Sequence, residues 1–331
     1  MTWLVWRQHR NQAYFAAAAL AAFAVLLLFT GLQMASEYHS ALAACTASHT
    51  CGSLANVLTL GSPPVIFLVL LTMAVPALLG VFWGAPLVAR ELETGTSQFA
   101  WMQSITRRRW LAVKTGWILL AAAAWGGVVS ALVTWWSSPE NALKQQNFKP
   151  GQFDIQGIVP VGYALFAVAL GIAVGTLVRR VLPALAITLG VFGGVRMLIA
   201  YFVRPHYLTP VTLISSIDHP GGPTGSYWSL ALGTIGPNGQ VLASNGLHNF
   251  LGYPSVNNGI PSVCRAALGR GMGRAAERIA SCMSAHGYRG FITYQPANRY
   301  WTFQGLETGI FVLLAAALIG AAVIMVTRRD A

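Results

Sequence analysis

The sequence predicts an all-α polytopic membrane protein, with six transmembrane helices and an extracytoplasmic α+β domain inserted between the fifth and the sixth. Three observations carry this prediction. Apolar stretches long enough to cross a bilayer run through residues 13–32, 64–88, 111–136, 157–178, 181–203 and 305–327. A hydrocarbon core about 30 Å thick needs roughly 20 helical residues, and within it a backbone polar group finds its partner inside the helix. Charged residues are 9% of the chain and apolar residues 55%, where soluble domains carry about 25% charge. The excess positive charge, +12, lies in short clusters at the ends of apolar runs. That placement marks topology, not a face for nucleic acid.

Residues 1–12, MTWLVWRQHRNQ, place Trp3 and Trp6 beside Arg7, His9 and Arg10. The segment reads equally as an amphipathic stretch lying in the interface and as a basic lead-in to the first span. Residues 13–203 then hold the first five spans. Eleven basic residues, including Arg7, Arg90, Arg107 to Arg109, Lys114, Arg179 and Arg328, gather at one set of span ends, whereas residues 33–63 contain no Lys or Arg. The positive-inside rule places that set, and both termini, in the cytoplasm. The first span is expected to be retained rather than cleaved. Arginine outnumbers lysine 18 to 3 in an Ala- and Gly-rich chain, which suggests a bacterial plasma membrane.

All four cysteines, Cys45, Cys51, Cys264 and Cys282, fall in segments that this topology places outside, where an oxidising compartment lets thiols pair. Three connectivities exist, and Cys45–Cys51 with Cys264–Cys282 keeps each pair within one loop.

The cytoplasmic loop 89–110, ARELETGTSQFAWMQSITRRRW, is the longest on its side. Glu91 and Glu93 open it, Thr94-Gly95-Thr96 breaks it, and Phe99, Met102 and Ile105 recur every three residues ahead of Arg107 to Arg109. This spacing predicts a short amphipathic helix parallel to the membrane, serving either as a docking element or as a passive interfacial helix.

Residues 204–304 form the extracytoplasmic domain. Gly236-Pro237-Asn238-Gly239 separates the apolar runs 227–235 and 240–243, which predicts a hairpin. Residues 262–286 read as helix interrupted by Gly269-Arg270-Gly271-Met272-Gly273. One straight helix would hold Cys264 and Cys282 about 27 Å apart, and a disulfide spans at most about 7 Å between Cα atoms. A helical hairpin stapled at its open end is therefore expected. Residues 291–304, with Tyr294, Tyr300, Trp301 and Phe303, read as an interfacial aromatic belt. Residues 305–331 give the last span and a cytoplasmic tail.

Two ionisable residues fall at membrane depth. Arg196 is 13 residues beyond Pro183, about 20 Å along a helix, and Glu307 lies two residues into the last span. They can pair with each other, the arginine can snorkel alone, or it can contact a substrate. Small-residue spacings, Gly80-x-x-x-Gly84, Gly171-x-x-x-Gly175 and Gly305-x-x-x-Gly309, favour close helix packing within the chain over dimerisation.

No glycine-rich phosphate loop precedes any lysine, and no HExxH, zinc-spaced Cys/His set or GxSxG elbow occurs. The chain is not expected to be an enzyme or to hold a metal.

The block ARELETGTSQFAWMQSITRRRWLAVK, together with YQPANRYWTFQGLETGIF leading into the sixth span, resembles the ABC-2 type permease subunits of bacterial ATP-binding-cassette exporters. The resemblance implies a dimer of two permeases, identical or paralogous, docked on a separately encoded P-loop ATPase dimer. Mg-ATP would be held by that ATPase, with no cofactor on this chain. It further implies a coupling role for Glu91, Glu93, Thr94, Gly95 and Thr96 and for the helix bearing Phe99, Met102 and Ile105, and a connecting helix at residues 2–12. The long segment 204–304 departs from the family pattern. It keeps open a mechanotransmission, sensor or immunity subunit that moves or presents this domain without transport.

Overall fold

The structure is a computed structural model that describes residues 2–48, 63–95, 106–139, 141, 148–218, 221–223, 225–245, 261–264 and 275–328. Among the described residues, six helices are long and apolar enough to cross a membrane: Ala17–Thr46, Ile66–Glu93, Arg109–Trp136, Val159–Val178, Val181–His206 and Ala297–Arg328. Each coincides with an apolar stretch of the sequence. The first belongs to a helix that runs unbroken from Thr2 to Ser48, so residues 2–12 continue directly into the span. The chain divides into two units, residues 1–199 with 301–331, and residues 200–300.

In the first unit the fourth span is the central helix. Its most apolar window is 78% buried, against 17–39% for the other five. Its sequence, VPVGYALFAVALGIAVGTLV, explains the position, because small residues on every side let neighbouring backbones close in. A Cβ added at Gly171 would meet the Gly80 carbonyl oxygen at 2.4 Å, and one at Gly175 the Ala85 oxygen at 2.6 Å. Reciprocally, Cβ atoms at Gly80 and Gly84 would meet the Ala167 and Val168 oxygens, each at 2.5 Å. Two of the three small-residue motifs thus interlock the second and fourth spans within one chain. Gly305 and Gly309 have nothing within 4 Å of such an atom.

The second span changes character midway. Pro76 lies inside its first helical part, Pro63–Leu79, a π-helical turn follows at Gly80–Gly84, and the α-helix resumes at Ala85–Glu93. Proline and π-turns are recognised causes of helix kinks. The first and third spans are joined by Trp136, whose indole N–H donates to Thr30 Oγ1 at 3.0 Å.

The second unit contains a four-stranded antiparallel sheet of β1 (Val211–Ser216), β2 (Trp228–Ile235), β3 (Val241–Asn245) and β4 (Arg289–Gln295), in the order β1-β4-β2-β3. β2 and β3 form the expected hairpin, closed by a Gly236 N–H bond to the Gln240 carbonyl at 2.8 Å. β4 was not foreseen. Residues 291–295 pair with both β1 and β2, so Tyr294 is a sheet residue edge-on to Tyr227, with ring centroids 5.8 Å apart. A helix, Ala275–Ala285, carries Cys282.

Cys282 is bonded to Cys264, with Cα atoms 5.8 Å apart. Cys264 ends a short 3-10 turn at residues 262–264, and the glycine-rich segment 269–273 lies outside the described residues. Cys45 is also disulfide-bonded. Cys51 lies outside the described residues.

Candidate functional site

In the first unit the fourth, fifth and sixth spans and the turn ahead of the fourth bring polar side chains together, with a carbonyl of the second span beside them. The fourth span does not start at Val159 abruptly. A one-turn helix, Gln152–Ile155, precedes it, bounded by Gly151 and Gly157 at φ of +91° and +74°. The turn sets Asp154 against the bundle, where the residue is 9% exposed.

Arg196 Nη2 lies 3.2 Å from Asp154 Oδ2, and Nη1 donates to the Met73 carbonyl at 3.3 Å. Met73 lies three residues before Pro76 in the same helix. The guanidinium carbon stands 4.2 Å from the Tyr163 ring centroid and 6.0 Å from that of Phe192. Stacking of this kind spreads a partly desolvated charge over aromatic faces.

Tyr163 Oη donates to Asp154 Oδ1 at 3.0 Å and also faces Glu307 Oε1. Arg196 and Glu307, the two residues singled out in the sequence, therefore share one cluster with Tyr163 between them. The guanidinium takes Asp154 as its ion-pair partner, because the turn before the fourth span presents that carboxylate to it. Asp154 was not singled out in the sequence, where it lies between the third and fourth apolar stretches. Its signal was modest: an acid flanked by Gln152 and Gln156, just ahead of an apolar run that faces an intramembrane arginine.

Gln304 completes the cluster. Its Oε1 accepts from the Ile158 and Val159 N–H groups at 3.0 and 2.9 Å, and its Nε2 donates to the Phe153 and Gln156 carbonyls at 3.1 and 3.2 Å. The first N–H groups of a helix have no partner inside it, and hydrocarbon supplies none, so a buried side-chain amide supplies them. Asn141 and Gln152 extend the network through Gln156, at 2.9 and 2.8 Å. A narrow cleft beside Arg196 and Asp154, lined also by Thr72, Met73 and Pro76, borders this polar group.

The other site is the root of the loop 89–110. Glu91 forms an ion pair with Lys114 of the third span. Lys114 is 6% exposed and lies 4.7 Å from the Trp110 ring centroid. Glu93 Oε2 accepts the Val181 N–H at 3.0 Å, at the first residue of the fifth span. Thr94 closes the helix through bonds to the Arg90 carbonyl, and Gly95 follows at φ +70°. Thr96, Phe99, Met102 and Ile105 lie outside the described residues.

Cys264, Cys282 and His286 offer three ligand-type atoms within 4.8 Å of one another. Both sulfurs are bonded to each other, so neither is the thiolate that a metal binds.

Six helices long and apolar enough to cross a membrane are those of a multi-pass membrane protein. A family model described as ABC-2 membrane transporter related matches residues 17–204, more than half of the chain. The chain belongs to this family and is a permease-like membrane component of ABC-2 type. No curated protein and no solved structure matches it.

Proposed function

We propose that this protein is the membrane-spanning permease subunit of an ATP-driven exporter. A separately encoded P-loop ATPase dimer binds and hydrolyses Mg-ATP, and its closure is passed through the loop 89–110 to the spans of this chain and of a second permease copy. The spans then re-orient and release a substrate on the far side of the plasma membrane. In this reading both termini and residues 89–110 face the cytoplasm, and residues 200–300 face outside, where the Cys264–Cys282 disulfide persists.

The observation that carries the reading is the family match across the first five spans. The structured root of the loop supports it. A segment that only reversed the chain would not need Glu91 and Glu93 tied to two other spans. Any shift between two states must come from a difference in how ATPase and substrate bind each of them.

Tagged full-length chain purified from its native membrane is expected to bring down a P-loop ATPase with Mg-ATP turnover. Purification without any such ATPase would overturn the reading. Thiol labelling at Ser97→Cys by an impermeant maleimide should require opened cells, and labelling from outside intact cells would invert the orientation.

A second reading rests on the disulfide-stapled unit of about 100 residues between the fifth and sixth spans. There, the ATPase moves that unit against a partner outside and nothing crosses the membrane. ATP-dependent labelling changes in the unit, without ATP-dependent solute movement in proteoliposomes, would favour this alternative.

A further inference from the structure

The second span ends in two acids that each bond to another span, Glu91 half-buried and Glu93 exposed. Glu91 meets the buried Lys114, and Glu93 meets the Val181 N–H. The N-cap residue of the fifth span, Arg180, makes no side-chain capping bond, so this acceptor comes from a different helix. Carboxylates suit such a place, since helix N-termini combine unpaired N–H groups with a positive dipole end. The same stretch abuts the end of the fourth span, where a Cβ at Gly175 would stand 3.4 Å from the Ala89 Cβ. Just beyond, Thr94 and Gly95 are exposed. The stub from which the loop departs is thereby fastened to the third, fourth and fifth spans.

Building on the permease reading above, we propose that Glu91 and Glu93 are positioning residues that fasten the loop root to the third and fifth spans, and are not contacts to the ATPase. Displacement of the loop then moves the starts of the third and fifth spans with it. The fifth span carries Arg196 fifteen residues on, so its tilt reaches the Asp154–Tyr163–Glu307 cluster without a further connecting element.

The two roles respond differently to conservative changes. An acceptor for Val181 survives Glu93→Gln, because the amide oxygen still accepts, and is lost in Glu93→Leu. A charge contact to a partner is lost in both. In full-length chain in nanodiscs, hydrogen exchange at Val181 should accelerate about tenfold in Glu93→Leu, the factor of one ordinary hydrogen bond, and stay within about threefold in Glu93→Gln.

In complex with the co-purified ATPase, Glu93→Leu should keep ATPase capture and lose stimulation of its turnover, while Glu93→Gln keeps both. For the other acid, Glu91→Leu should weaken stimulation, and adding Lys114→Met should restore it, since the stranded buried cation is then gone. Equal loss of capture in Glu93→Gln and Glu93→Leu, with exchange at Val181 unchanged, would overturn the proposal. Failure of the wild-type chain to capture an ATPase strikes the permease reading instead, and exchange at Val181 still decides whether Glu93 fastens the fifth span.

Discussion

Gly157 and Gln304 compete for one place: a Cβ on Gly157 would lie 2.7 Å from Gln304 Oε1, the atom that accepts both N–H groups at the start of the fourth span. Gly157 also sits at φ +74°, a conformation costing a side-chain-bearing residue about 1–2 kcal/mol. Gly157→Ala is therefore expected to lower stability by more than this backbone cost alone. Gln304→Leu should destabilise through two stranded N–H groups, at about 1–3 kcal/mol each when buried. Thermal unfolding of the full chain in nanodiscs measures both. The double variant should lose less than the two single losses added, because both changes damage the same cap.

The Arg196–Asp154 pair leads to a sharper expectation. Removing one partner of a buried ion pair costs about 3–5 kcal/mol, whereas replacing both by apolar groups is often close to neutral. Asp154→Asn and Arg196→Met should each destabilise strongly, and Arg196→Met combined with Asp154→Leu should recover most of the loss. If the recovered double variant still fails to drive ATP-dependent solute movement in proteoliposomes, the pair serves the transport cycle as well as the fold. Full activity in that variant would confine it to the fold.

How far these features were legible in the sequence follows from their range. Each span is written locally, in roughly 20 apolar residues, and all six apolar stretches overlap a long helix, although the first span runs on to Thr46 and the sixth begins at Ala297. The β2–β3 hairpin is equally local, announced by Gly236-Pro237-Asn238-Gly239. β4 was not legible, because its partners β1 and β2 lie some 50 to 80 residues away.

The polar cluster shows the same division. Arg196 and Glu307 stood out as charges inside apolar runs, but the choice of Asp154 as counter-ion depends on the Gly151 and Gly157 turns, whose positive φ the sequence does not declare. Gln304 carries no charge to draw notice, and its meeting with Ile158 spans 146 positions. Glu91 and Glu93 were legible as the start of an important loop. That each bonds back to the bundle is set by Lys114 and Val181, on two other spans.

The glycines separate packing within the chain from packing against anything else. Gly171→Ala would force its Cβ to 2.4 Å from the Gly80 oxygen, a backbone atom that cannot swing aside. Overpacking of this kind costs about 1–3 kcal/mol, and the second and fourth spans must separate to relieve it. Gly309→Ala meets nothing within 4 Å and should leave the unfolding midpoint of the detergent-purified chain unchanged. A large drop for Gly309→Ala in membranes, where copies can associate, with none in the isolated chain, would place the start of the sixth span at an interface between copies.

The Cys264–Cys282 bridge gives the last expectation. It closes a segment with a sequence separation of 18, which on the chain-entropy account is worth about 3 kcal/mol. The stretch it anchors has a small apolar cluster of its own, with Cys264 and Met283 buried and Ile217, Ile279 and Tyr288 packed on them. A cluster this small depends on its staple. Reduction by a dithiol, or Cys264→Ser with Cys282→Ser, should open residues 261–288 to proteolysis while the six spans stay protected by the bilayer. Cleavage sites read by mass spectrometry should cluster around the helix Ala275–Ala285 and spare β2 and β4, whose ladder bonds do not involve the bridge. Digestion of the whole 200–300 unit at the rate of an unfolded chain would show instead that the disulfide supports the sheet.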